Sequence, residues 1–99
     1  MRDPEIMSQV KTILAKISEI APGHAVELRI PPYSAIHCVE GPKHTRGTPP
    51  NVVEMSADVL FDISEGKINW ASAISDGRIS ASGERSDLSA LFQQLGAAE

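Results

Sequence analysis

Apolar residues open the chain at spacings of three and four: Ile6, Val10, Ile13, Leu14, Ile17, Ile20 and Ala21. That period predicts an α-helix of about four turns with one apolar stripe. Asp3-Pro4-Glu5 before it supplies a capping carboxylate, a proline suited to the first turn and an acid near the positive end of the dipole. Pro22-Gly23 stops the helix. The period then changes to two. Val26, Leu28 and Ile30 alternate with Glu27 and Arg29, as in a strand with one wet face. Pro31-Pro32 ends it, since neither proline can donate to a ladder. Ser34 to Val39 reads as a second strand, apolar enough to be central. The spacer between the two is too short for a crossover helix, which predicts an antiparallel hairpin. Val52, Val53 and Met55 supply a short third strand.

The segment from Ser56 to Leu95 organises the rest. Ser56 and Asn69 are placed to cap two short helices, and Gly66 and Gly77 to close them. Leu60 with Ile63, and Trp70 with Ala73 and Ile74, put apolar groups on one side of each. Ile79 and Ala81 alternate with Ser80 and Ser82, which suits a strand with one buried face. Leu88, Leu91, Phe92 and Leu95 recur at helical spacing behind a Ser86 cap. These elements predict an α+β chain: a small, mainly antiparallel sheet, an N-terminal helix, two short middle helices and a C-terminal helix.

Ninety-nine residues are expected to form a single domain, 1–99. A chain of this length buries roughly 60–65% of its unfolded surface, which restricts the volume open to a large ligand. The net charge of −4 argues against nucleic acid as a partner and against adhesion to anionic lipid. No stretch approaches the length of a membrane-spanning helix, so stable membrane insertion is not expected. Cys38 is the only cysteine and sits in the apolar run Ala35-Ile36-His37-Cys38-Val39, as a core thiol does. The expectation is a cytoplasmic chain with a reduced cysteine.

The least ordinary stretch runs from Glu40 to Asn51 and contains Gly41-Pro42-Lys43-His44-Thr45-Arg46-Gly47-Thr48-Pro49-Pro50. Lys43, His44 and Arg46 are cationic or titratable donors, Thr45 and Thr48 carry hydroxyls, and Gly47 lets a backbone N–H approach an anion. Such a loop suits a carboxylate or phosphate head group; it also reads as a solvated hairpin loop stiffened by prolines, or as a protein contact. Trp70 likewise has two readings, as a core anchor or as a ring that stacks on a ligand, and the Phe92 stripe of the last helix reads as core or as a lid over a ligand site. His24, His37, His44 and Cys38 fit no zinc spacing, and His37 and Cys38 should point to opposite faces of their strand. No nucleophile elbow is present, and Glu40 and Glu54 read as solvated strand-end carboxylates. No catalytic residue, metal or cofactor is expected, and the chain is not expected to be an enzyme.

The order helix, Gly66, helix, then Gly77-Arg78-Ile79, Ala81 and Gly83-Glu84 resembles the C-terminal half of the sterol carrier protein family. There a helix–glycine–helix unit runs into a glycine, a lysine, alternating aliphatics, a glycine and an acid before a leucine-rich helix. Arg78 stands for the usual lysine and Glu84 for the usual aspartate. With Pro31-Pro32-Tyr33 and Gly41 to Asn51, nearly the whole chain is similar to a small actinobacterial branch, the bacterial sterol carrier orthologs. The resemblance implies helices layered over a sheet. In larger relatives an apolar tunnel between sheet and C-terminal helices holds fatty acyl or sterol-like ligands. It therefore implies a non-catalytic, lipid-binding role, with an acyl or other apolar ligand whose anionic head group is held by Lys43, His44, Arg46 and Thr48. Similar small domains also form the C-terminal part of mycothiol-dependent maleylpyruvate isomerase-like proteins, which implies an alternative as an accessory or protein-interaction module. A homodimer is a third expectation.

Overall fold

The computed structural model describes residues 3–41 and 51–97. Helix α1 spans Pro4–Ile20 and is capped as its sequence predicts, the Asp3 side chain accepting from the N–H groups of Glu5 and Ile6. Val10, Leu14 and Ile17 form its buried stripe. Strands β1 (Val26–Ile30) and β2 (Ser34–Cys38) make the expected antiparallel hairpin, with Leu28 opposite Ile36. The turn between them carries a cis Pro31–Pro32 bond and closes through Tyr33 N–H to the Ile30 carbonyl at 2.8 Å.

Strand β3 (Asn51–Met55) then pairs in parallel with β1, and β4 (Ile79–Ser82) pairs antiparallel with β3. The sheet order is β2-β1-β3-β4, so it is mixed, with two antiparallel pairs and one parallel pair. This corrects two expectations. Strand β2 lies at an edge, not in the centre; its Ala35 and His37 are exposed, while β1 takes the central position with Val26, Leu28 and Ile30 all fully buried. The segment between β2 and β3 also closes no hairpin. Its ends flank Val26, which pairs with Cys38 on one side and Asn51 on the other.

Helix α2 (Ala57–Ser64) starts at Ser56, whose hydroxyl accepts the Val59 N–H, and α3 (Trp70–Ser75) at Asn69, whose side chain accepts the Ser72 N–H. Gly66 and Gly77 follow the two helices with φ of 77° and 76°, as their places predict. Helix α4 (Ser89–Ala97) departs from its predicted cap. The Ser86 hydroxyl donates to the Gly83 carbonyl at 2.8 Å and so belongs to the preceding turn, while the Asp87 carboxylate accepts the Ser89 N–H at 2.9 Å. In β4 only Ile79 is buried; Ala81 is exposed, so the expected buried face of this edge strand is limited to Ile79.

One hydrophobic cluster joins α1, α2 and α4 to the buried face of the sheet through Ile17, Leu28, Ile30, Val53, Leu60 and Leu95. Each such side chain contributes about 1.5–3 kcal/mol by leaving water. The opposite face is wet, with Arg29 and Glu54 paired across β1 and β3 at 3.9 Å. Among the described residues no helix is long and apolar enough to cross a membrane.

Candidate functional site

Helix α4 carries two stripes. Leu91 and Leu95, with Leu88 just ahead of the helix, turn into the core. Ser89, Phe92, Gln93 and Gly96, three and four residues apart, face a half-open cleft of ≈ 410 Å³. Its opposite wall is the end of α2, at Ile63, Ser64, Glu65 and Gly66, and its floor is the approach to α3 at Ile68, Asn69 and Trp70. The cleft exists because α2 is short: its glycine stop turns the chain back before the helix can fill the space beside α4. At Gly96 the two helices stand at ordinary contact distance, since a Cβ there would lie 3.8 Å from the Ser64 carbonyl oxygen.

Trp70 and Phe92 meet across this space with ring centroids 6.1 Å apart and planes inclined by 25°. Phe92 is buried and Trp70 half-buried; both pack with the core cluster, and both also line the cleft. One turn beyond Trp70, Ile74 is a large hydrophobic side chain left exposed at the end of α3. The Ser64 hydroxyl is buried but satisfied, donating to the Leu60 carbonyl at 2.6 Å. Among the described lining residues Glu65 is the charged one, and its carboxylate lies 2.9 Å from the Lys67 ammonium, which it holds above the usual lysine range. At the other end, the Ser89 backbone N–H, followed by its hydroxyl, holds the Asp87 carboxyl below its ordinary value.

The other expected site residues, Lys43, His44, Arg46 and Thr48, lie outside the described residues. What is described is the foot of their segment. The Asn51 amide donates to the Ala25 carbonyl at 2.8 Å and its oxygen accepts the Arg85 N–H at 3.0 Å, so one side chain ties the start of β1 to the turn leading into α4. The Arg85 side chain lies against Gly41, its Nε 3.1 Å from where a Cβ would stand.

His37 is exposed and Cys38 fully buried, on opposite faces as the strand period requires. Burial alone pushes the Cys38 thiol up from 9.0 to about 11, which keeps it protonated and unreactive at neutral pH. The His37 ring lies 5.9 Å from that of His24. Among the described residues no three His, Cys, Asp or Glu side chains are grouped to hold a metal.

Of the residues that line the cleft, Trp70 and Phe92 were singled out from the sequence, while Ile63, Ile68, Gln93 and Gly96 were not. The available signal was Gly96, a glycine four residues after Phe92 on an otherwise leucine-rich helix, where a close approach or an unfilled space is the physical reason to lack a side chain.

Three comparisons bear on this geometry. A family model described as bacterial SCP ortholog, SCP being sterol carrier protein, matches residues 2–93. No curated protein matches the chain. Among solved structures, the sterol carrier protein domain 2 of Helicoverpa armigera, determined in solution, superposes with a TM-score of 0.56 at 20% identity, over 97% of this chain and 94% of that one. At that identity the likeness is one of fold.

Proposed function

We propose that this chain, which belongs to the bacterial SCP ortholog family, binds and carries a small lipid-like ligand without transforming it. The observation that supports the reading best is the cleft itself. Trp70, Phe92, Ile63 and Ile68 line a space of ≈ 410 Å³ between α2, α3 and α4. Sites of about 300–1,000 Å³ with apolar and aromatic walls are the usual form of small-molecule pockets. Each methylene buried there contributes about 0.8 kcal/mol, so about ten of them match the ~8 kcal/mol of micromolar affinity before the cost of immobilising the ligand.

The proposed role needs no nucleophile or base, and the buried, protonated Cys38 is poorly placed to serve as one. The carrier reading is tested through Trp70, the chain's single tryptophan and a wall of the cleft. Native mass spectrometry of the purified protein should show a stoichiometric apolar adduct, and titration of stripped protein with a fluorescent fatty acid should quench or shift Trp70 emission. A protein that carries no adduct and leaves Trp70 unchanged under titration would overturn the reading.

A further inference from the structure

Two imidazoles stand together at the β2 edge of the sheet, away from the cleft. His37 lies on β2 and His24 in the bend just before β1, and both are exposed. Their ring centroids are 5.9 Å apart and their planes inclined by 53°. Glu27 is the partner of His37 across the hairpin, which places its carboxylate on the same face of the sheet. Arg29, the next residue of β1 on that face, is paired with Glu54 at 3.9 Å.

The backbone holds the two rings side by side. Val39 donates its N–H to the Ala21 carbonyl at 2.8 Å, and its own carbonyl accepts the Ala25 N–H at 3.0 Å. The bend that carries His24 is therefore tied on both sides to the residue two beyond His37. Gly23 allows the close approach, since a Cβ there would overlap the Val39 carbonyl. Val39 makes both bonds from a φ of 69°, a left-handed conformation that is strained for a β-branched residue. The positions of the two histidines are thus fixed relative to each other, while their exposed side chains keep their rotamers.

We infer that His24 and His37 form a two-imidazole site for a late first-row divalent metal ion, of which zinc(II) and copper(II) are the best matched to nitrogen donors. The distance decides that one ion serves both rings. With each nitrogen about 2.0–2.1 Å from the metal, two imidazoles at a right or tetrahedral angle stand about 4.5–5.2 Å apart, centre to centre. The observed 5.9 Å closes to that separation when two exposed rings move by less than about 1.5 Å in all. The pair supplies two ligands, not a three-residue cage, so water fills the remaining positions. Glu27 adds negative charge beside the pair and favours a cation there. Magnesium and calcium, which take oxygen ligands, are not suited to it. The site is separate from the cleft and does not depend on the carrier reading.

The test titrates zinc chloride into the untagged chain at neutral pH and follows the imidazole nitrogens by proton–nitrogen correlation NMR. The same titration is made in His24→Gln, His37→Gln and Glu27→Gln. In the wild type the His24 and His37 resonances should shift together and saturate at one zinc per chain, and magnesium chloride should leave both in place. Because the ion is shared, either histidine substitution alone should weaken zinc binding by about tenfold or more. Glu27→Gln should weaken it by only a few-fold. Both histidines are exposed, so the urea midpoint without metal should be unchanged in the two variants. Zinc should raise that midpoint in the wild type, since the unfolded chain does not hold the rings together, and in neither histidine variant. The inference is overturned by rings that titrate independently, by a single variant that keeps wild-type affinity, by zinc held at His44 alone, or by no response to zinc.

Discussion

Replacing Gly83 by alanine tests the join between β1, β3 and the approach to α4. Gly83 has φ +103°, a backbone region that costs an L-residue about 1–2 kcal/mol. The added methyl would overlap the Asn51 side-chain oxygen and stand 2.9 Å from the Asn51 Cα. Asn51 has little freedom to move aside, because its amide is committed to the Ala25 carbonyl and its oxygen to the Arg85 N–H. Each of those bonds contributes about 0.5–1.5 kcal/mol net, so losing both adds about 1–3 to the backbone cost. The total is about 2–5 kcal/mol, a large share of the ~5–15 kcal/mol that holds a domain together. Urea unfolding followed by Trp70 emission measures it, in the wild type and in an Asn51→Ala background. Without the amide to displace, Gly83→Ala should cost at least about 1 kcal/mol less in that background. A loss below about 1 kcal/mol in the single variant, or the same loss in both backgrounds, would refute the assignment of Asn51 as the tie.

Further outcomes are expected at three positions. Gly96→Leu should project a side chain into the cleft and abolish uptake of a fluorescent fatty acid with the urea midpoint retained. Gly96→Ala, whose methyl meets only ordinary contact at 3.8 Å from the Ser64 oxygen, should retain binding and gain a few tenths of a kcal/mol, to about 1, in stability. The Cys38 thiol has a folded pKa of about 11 above its ordinary 9.0, so its stabilisation is complete below pH 9 and is lost as pH rises through 11. The urea midpoint should therefore fall more steeply over that window than in Cys38→Ala, and equal slopes would contradict it. Asp3→Ala removes the carboxylate that accepts the Glu5 and Ile6 N–H groups, and thermal unfolding should register a loss of about 1 kcal/mol.

Local signals in the sequence carried most of the elements, because their causes lie within a few residues. The caps at Asp3, Ser56 and Asn69, the glycine stops at 66 and 77 and the stripe of α1 all depend on neighbours no more than one or two turns away. Ser86 misled for the same reason. It has the chemistry of a cap, yet its hydroxyl found the Gly83 carbonyl first, and Asp87 took the helix N–H.

The sequence by itself therefore determined the α+β class, the order of elements, the β1–β2 hairpin and the opposite facing of His37 and Cys38. The Trp70 and Phe92 side chains were visible as well, though only as an ambiguity between core and site. Tertiary structure alone decided which strands are central. The 2-residue period says that one face is buried but not which neighbour a strand takes, and only the pairing of Asn51 beside Val26 sends β2 to the edge. It alone made the cleft, because that space depends on how far α2 reaches before Gly66 and on how closely α4 approaches at Gly96. Its polarity follows from that packing. A helix end, a carboxylate and two amides become one environment only when distant segments bring them to the same cleft.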